Sequence, residues 1–168
     1  MGVTFVVENR PGGSGAKAIA KVAQARADGS VFYVTTPTYI QTTLLSKLDF
    51  GYDSLDPLVT IFRDLKIPGV FEDKRLVRYP DVPTAREQGF DVVVTKFRSI
   101  AGPKGLPPAV VQMWEQAIQS VLALPEYQKI YKSENLVPAY RNQQESREFT
   151  AEVAKSLATS LRELGIIK

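Results

Sequence analysis

The sequence predicts an α/β fold, a three-layer sandwich with a mostly parallel sheet. Short β-branched runs alternate with segments of helical periodicity over the first 64 residues. This strand–helix–strand–helix–strand order is typical of βαβ units on a parallel sheet. The chain has 168 residues, of which 44% are hydrophobic and 23% charged, which suits one globular domain with its own core.

The predicted strands and helices of residues 1–64 follow from residue type and from the residues that begin or end each element. The predicted strands are short, β-branched runs, and each predicted helix has an apolar face and a recognisable start. The strands are at residues 3–7, 31–36 and 58–62; the helices run from Ser14 or Gly15 to Arg26 and from Pro37-Thr38 to about Lys47.

The second part begins less regularly, because Pro68 and Gly69 reduce residues 65–71 to an edge or bent strand. Further on, Gly89 ends a short helix, a proline pair starts a long helix, and Asn142 with Glu145 forms a capping box. The predicted elements are helix 84–88, strand 90–102, a helix from Pro107-Pro108 to about Leu122, a helix from near Pro125, strand 135–140, and a helix to about Leu164.

Composition excludes several classes of function. The chain has neither histidine nor cysteine, so disulfides, thiolate metal sites and histidine-dependent catalysis are excluded. No carboxylate pair has the spacing of an acid–base couple, and we predict no catalytic residue, no metal and no cofactor. The net charge of +3, without a Lys/Arg cluster, suits small anions better than nucleic acid.

No apolar run is long enough to span a membrane. The start, "MGVTFVVENR", lacks the basic and apolar regions of a secretory signal, so the chain as expressed is expected in the cytoplasm.

The stretch "ENRPGGSGAK", residues 8–17, lies between a predicted strand and a predicted helix. Glycine-rich turns at this position bind anions through backbone N–H groups and the helix dipole. The spacing does not fit a phosphate loop, and a dinucleotide fingerprint lacks its acidic residue, since Asp28 precedes the next strand. The other interpretation is a tight turn in which Ser14 is the helix N-cap.

Several ordered motifs resemble the receptors of tripartite tricarboxylate transporters, the Bug-type periplasmic proteins. They are "VVENRPGGSG" with the helix and strand that follow, "DPLVTIFRD", "RYPDVPTAREQGF", "KFRSIAGPKGLPPAVV" and the terminal "LRELGI". Together these motifs extend over nearly the whole chain. The resemblance implies one lobe of a type II periplasmic binding protein.

Family members are nearly twice as long and consist of two lobes around a ligand cleft. The resemblance therefore implies that residues 1–168 form a single lobe, an isolated first lobe. Its two family segments, 1–64 and 65–168, are joined where the second lobe would be inserted. The family strand upstream of the glycine loop has no counterpart here, which leaves an unpaired sheet edge and predicts self-association.

The resemblance also implies ligand-binding residues at the cleft. Thr35, Thr36, Pro37 and Thr38 follow a predicted strand, where open parallel sheets bind ligands; the alternative is a threonine-capped helix start. Phe97 is either an aromatic wall of the cleft or core. Arg98 matches the family's arginine and suits a bidentate carboxylate contact; the alternative is a solvated head on a packed stem.

The loop itself is expected to be structural. Arg10 and Glu8 flank it and are predicted to brace Gly12, Gly13 and Ser14. In "DVPT", Asp81 or Thr84 is predicted to cap the short helix.

By resemblance, the function is capture of a small carboxylate in the periplasm and its delivery to the membrane components of the transporter. The alternatives are a self-associating α/β domain with little ligand binding, such as a homodimer, and a flavodoxin-like nucleotide-binding protein.

Overall fold

Helices flank a four-stranded sheet in the computed structural model, which describes residues 4–64, 74–75, 80–89, 96–134 and 136–168. The strands are β1 Tyr33–Thr35, β2 Leu55–Asp64, β3 Lys96–Pro103 and β4 Leu136–Arg141. The helices are α1 Ala16–Ala23, α2 Thr38–Leu45, α3 Pro108–Leu122, α4 Pro125–Glu134 and α5 Gln143–Glu163. Short 3-10 helices cover Gly13–Gly15, Tyr52–Ser54 and Arg86–Gln88.

The described sheet is antiparallel, with strand order β1-β3-β2-β4, so the prediction of a mostly parallel sheet is wrong. Strand β3 returns along the whole of β2, from Asp64↔Lys96 to Leu55↔Pro103, and separates β2 from β1. Strands β1 and β2 run in the same direction but are not paired with each other. The alternation of strands and helices in the sequence agrees with the common direction of β1 and β2. It does not predict that β3 pairs between them in the opposite direction.

Two apolar clusters cover the two faces of the sheet. Because successive strand residues point to opposite faces, Phe97 and Ala101 join one cluster and Ile100 joins the other. The first cluster includes residues of α1, α2 and α5, and the second includes residues of α3. Helices therefore lie on both faces, as the layered α/β prediction requires.

The predicted strand at residues 3–7 is wrong for its described part. Residues 4–7 form no strand and are exposed. Strand propensity reflects packing against neighbours, and this segment has no neighbouring strand in the described chain.

The predicted helix start is also displaced. Gly12, Gly13, Ser14 and Gly15 all have positive φ, and the helix proper starts at Ala16. Gly15 is its N-cap, without a side-chain bond, so the prediction of Ser14 as N-cap is wrong. A capping side chain needs an extended backbone, whereas Ser14 has φ of 50° within the left-handed turn.

Elements near the carboxyl terminus agree with prediction. Helix α3 has proline at its first position, and α4 and β4 lie within a few residues of the predicted limits. Asn142 and Glu145 form the predicted capping box of α5, with hydrogen bonds of 2.9 and 3.0 Å. The predicted strand at 65–71 and the first part of strand 90–102 lie outside the described residues.

None of the helices formed by the described residues has the length and apolar character needed to cross a membrane.

Candidate functional site

The predicted ligand loop follows the carboxyl end of β1 and lies beside β3. Thr35 pairs with Ser99 across the two strands, so the loop at 36–38 follows directly from this pair. Two parts of the chain that are distant in sequence thus lie side by side in the sheet, and their role in ligand binding stays a prediction.

Burial differs sharply along this loop. Thr35 is fully buried, and its Oγ1 has no hydrogen-bond partner among the described residues. Thr36 and Pro37 are half-buried, and Thr38 is exposed. Within the described chain the Thr38 N–H makes no backbone hydrogen bond; the first bond of this turn is donated by Tyr39 N–H to Thr36 O at 3.0 Å.

The alternative of a threonine-capped helix start is wrong. Pro37 is the N-cap of α2, and no side chain bonds there. The hydroxyls of this loop are therefore not used for capping.

Phe97 and Arg98 lie on opposite faces of β3. Phe97 is fully buried, and its ring packs edge-on against Phe149 with 5.1 Å between centroids, so it is a core residue. Arg98 is half-buried and donates to Phe97 O at 3.1 Å. By strand alternation Ser99 shares the face of Phe97, so the Arg98 side chain leaves from the face opposite Ser99.

A row of hydroxyls, which the sequence patterns did not predict, crosses the sheet next to the loop. Ser99 Oγ donates to Thr60 Oγ1 at 3.1 Å, and Thr60 Oγ1 lies 3.1 Å from Ser146 Oγ. Ser146 Oγ in turn donates to Arg141 O at 3.2 Å. Thr35 faces Ser99 at the other end of this row. Hydroxyls at inward strand positions were the available signal in the sequence.

A half-buried cation lies at the far end of the row. The Arg141 guanidinium carbon stands 4.1 Å above the ring centroid of Phe149. Burial lowers the pKa of Arg141, and the neighbouring Arg63 lowers it further. Arg141 therefore places positive charge beside this end of the row, whereas the hydroxyl hydrogens of Ser99, Thr60 and Ser146 are already used within the row and on Arg141 O.

The glycine loop is held by its flanking charges. Glu8 forms an ion pair with Arg10, and its other carboxylate oxygen lies 3.3 Å from Lys21 Nζ on α1. The hydrogen bond from Arg10, followed by that from Lys21, lowers the pKa of the Glu8 carboxyl. Thr42 on α2 donates to Ser14 O at 3.0 Å. These contacts connect the loop to α1 and α2, and the structural role of Arg10 and the loop stays a prediction.

The "DVPT" stretch also makes local contacts. Glu87 N–H donates to Thr84 Oγ1 at 3.1 Å, and Thr84 N–H donates back to Glu87 Oε2 at 2.7 Å. Arg75 Nε donates to the same carboxylate. Of the two predicted caps, Thr84 makes this bond.

Among the residues that the structure describes, no group of three or more carboxylates forms a metal-binding cluster.

Comparison with protein families identifies a match over most of the chain. The model of the family described as "Tripartite tricarboxylate transporter family receptor" (TctC) matches residues 62–166. A Cupriavidus necator protein named "UPF0065 protein in gbd 5'region" is 31% identical over 104 residues. That alignment covers 62% of this chain and 32% of the relative, so the aligned region spans about a third of the relative's length.

Solved structures show the same fold. A Rhodopseudomonas palustris protein solved with adipate is 15% identical, with a TM-score of 0.82 over 98% of this chain and 87% of that one. MatC from the same organism, with bound malate, is 15% identical, with a TM-score of 0.71 over 94% and 85%. A Polaromonas TctC solute-binding protein is 13% identical, with a TM-score of 0.77 over 94% and 86%.

Proposed function

Since this chain belongs to the tripartite tricarboxylate transporter receptor family, we propose that it forms one lobe of a receptor for a small carboxylate solute. The whole receptor captures the solute in the periplasm and delivers it to the membrane components of the transporter. The family consists of solute-binding receptors rather than enzymes, and no reaction is assigned to the chain.

One observation carries the proposal: within a single turn, two polar donors have no hydrogen-bond partner in the part of the chain that the structure describes. They are the buried Thr35 hydroxyl and the Thr38 N–H at the start of α2. A carboxylate oxygen accepts from hydroxyl and N–H donors, and a helix N-terminus favours negative charge. An ordered water that connects Thr35 to the solute would serve equally well.

The ligands of similar proteins support the same chemical class. Two solved structures with this fold contain adipate and malate, both of which carry two carboxylates. A dicarboxylate needs donors at both ends. We propose that Thr35, Thr36, Pro37 and Thr38 hold one carboxylate, and that a second lobe closes over the other by hinge motion. We further propose that Arg98 orients the solute at the rim, and that Phe97 supports the site from within the core.

Binding by this chain alone is expected to be weak. A ligand held in a cleft takes contacts and desolvation from both walls, and one lobe supplies about half of the contacts. Titration of the isotope-labelled chain with malate and adipate, followed by NMR, detects such weak binding and locates it. We expect amide shifts at Thr35, Thr36 and Thr38, with a dissociation constant in the millimolar range.

A matched pair of variants tests the location. Thr36→Val should weaken binding, whereas Thr43→Val should leave it unchanged, because the Thr43 hydroxyl bonds within its own helix to Ile40 O at 2.8 Å. Amide shifts confined to other regions, or no shifts at saturating solute, would refute the proposal.

A further inference from the structure

The segment Thr4–Val7 has the composition of a β-strand but forms none in the structure. It reads "TFVV", with no charge and with three β-branched residues. Phe5 is 60% exposed, and Val6 and Val7 are each 87% exposed. Apolar side chains of this size gain about 1.5–3 kcal/mol each when they are fully buried. The segment therefore has the composition of a strand, and burial of its apolar side chains would be favourable.

The outer edge of β1 has no pairing strand among the described residues. The sheet order ends at β1, and in the described part of the chain its backbone bonds only with β3. Val34, at its centre, is 65% exposed. Residues 29–46 carry no charged side chain, whereas exposed edges are usually protected by charges.

Apolar side chains lie near this edge, namely Phe32, Val34 and Trp114, and within its own chain the Phe5 of the segment packs against Trp114. The ring of Phe32 lies 4.4 Å from that of Trp114, and the ring of Phe5 lies 5.6 Å from it. Val34 pairs with Ile100, and Phe32 packs against the cluster that contains Ile100, so Val34 and Phe32 lie on the same face of the sheet. An added strand would therefore meet apolar side chains as well as backbone donors and acceptors.

We propose that Thr4–Val7 of one copy adds to the β1 edge of a second copy, and that the exchange is reciprocal. Both partners are uncharged, so pairing costs no repulsion. Within its own chain the segment is followed by Glu8, which Arg10 and Lys21 hold beside α1, and it pairs with none of the described strands. Reciprocal exchange closes a two-fold dimer, covers both edges and buries Val6, Val7 and Val34 twice over.

Cross-linking tests the partner directly, since the chain has no cysteine. Val6→Cys and Val34→Cys are prepared as separate variants, mixed and oxidised. We expect a mixed dimer on a non-reducing gel, at a yield that rises with protein concentration. A matched control mixes Val34→Cys with Leu164→Cys, whose exposed site (72%) lies beyond the end of α5; this mixture should yield little mixed dimer.

Other products would overturn the proposal. Disulfide dimers of Val34→Cys alone would mean that two β1 edges pair with each other. A monomeric cross-link in the Val6→Cys/Val34→Cys double variant, independent of concentration, would mean that the segment pairs within its own chain. Absence of any cross-link would mean that the edge stays open.

Sedimentation of the unmodified chain provides a measurement that does not depend on mutation. We expect a monomer–dimer equilibrium. Val34→Lys should weaken the dimer about tenfold at each contact, and so about a hundredfold for the reciprocal pair. Leu164→Lys should leave the equilibrium unchanged. A monomer at all accessible concentrations would also overturn the proposal, whether or not the chain binds carboxylates.

Discussion

Thr60 on β2 and Ser146 on α5 meet hydroxyl to hydroxyl, 3.1 Å apart, and both side chains are fully buried. Ser99 on β3 donates to the same Thr60 oxygen. One threonine thus joins two strands and the longest described helix. In an apolar core such a bond fixes the position of α5 relative to the strands. A displaced hydroxyl would lose its partner there and could not bond to water instead.

Removal of the shared hydroxyl should cost stability. Thr60→Val keeps the shape of the side chain but removes a partner from both Ser99 and Ser146, so we expect a loss of about 1–3 kcal/mol in the free energy of unfolding. Urea denaturation measures it. Thr43→Val, with a hydroxyl bonded within its helix, should cost less. Equal losses would mean that the buried row has no special role.

The glycine turn should tolerate change at Ser14 but not at Gly15. Ser14 caps no helix, so Ser14→Ala should alter stability by less than about 0.5 kcal/mol, whereas loss of a true cap costs about 1 kcal/mol. Gly15 has φ of 98° and lies close to the Tyr33 hydroxyl, 3.1 Å from where a Cβ would stand. Gly15→Ala should cost about 1–2 kcal/mol. Thermal unfolding of both variants shows which substitution costs more stability. If Ser14 capped the helix, Ser14→Ala would cost more than Gly15→Ala.

The start of α5 should depend on Asn142. Its side chain accepts from Glu145 N–H at 3.0 Å, and Asn142→Ala should therefore cost about 1 kcal/mol. Asn142→Asp retains an acceptor and should be nearly neutral. Chemical denaturation of the two variants measures the difference in their free energies of unfolding. If Asn142→Ala were as stable as the unmodified chain, the capping box would not stabilise α5.

Alkaline pH should destabilise the fold through Tyr39. Burial raises the pKa of this phenol from 10.0 to about 12. The folded state therefore holds the proton more tightly than the unfolded chain does. The corresponding stability, about 3 kcal/mol, is fully present below pH 10 and is lost as the pH rises towards about 12.

Ultraviolet absorbance of tyrosinate, recorded together with unfolding, checks this prediction. Tyr39→Phe should remove one late-titrating group and reduce the alkaline loss of stability. An unchanged alkaline profile in this variant would assign the loss to other groups.

Much of the local structure was predictable from the sequence. Pro107-Pro108 predicted α3 and the Asn142–Glu145 pair predicted α5, because these signals act within one helical turn. Ser14 was assigned wrongly for a related reason. A serine before a helix usually caps it, but three neighbouring glycines make a left-handed turn accessible and move the cap to Gly15.

The candidate site was predicted in part. The sequence located Thr35–Thr38 at a strand end, and the structure sets that loop beside Ser99. Thr60 and Ser146 were missed, since nothing local indicates that a hydroxyl on β2 will face one on α5. The binding role of the loop remains a prediction until solute is titrated.

By itself the sequence determined the α/β class, most of the helices and the family, because each depends on short-range patterns and ordered motifs. Only the tertiary structure decided the strand order, the burial of Phe97 and the exposure of Thr4–Val7. Strand pairing joins residues far apart in the chain, and the same β-branched composition suits any available edge. Because β3 lies between β1 and β2, the sheet became antiparallel, and the outer edge of β1 is left without a neighbour in the described chain.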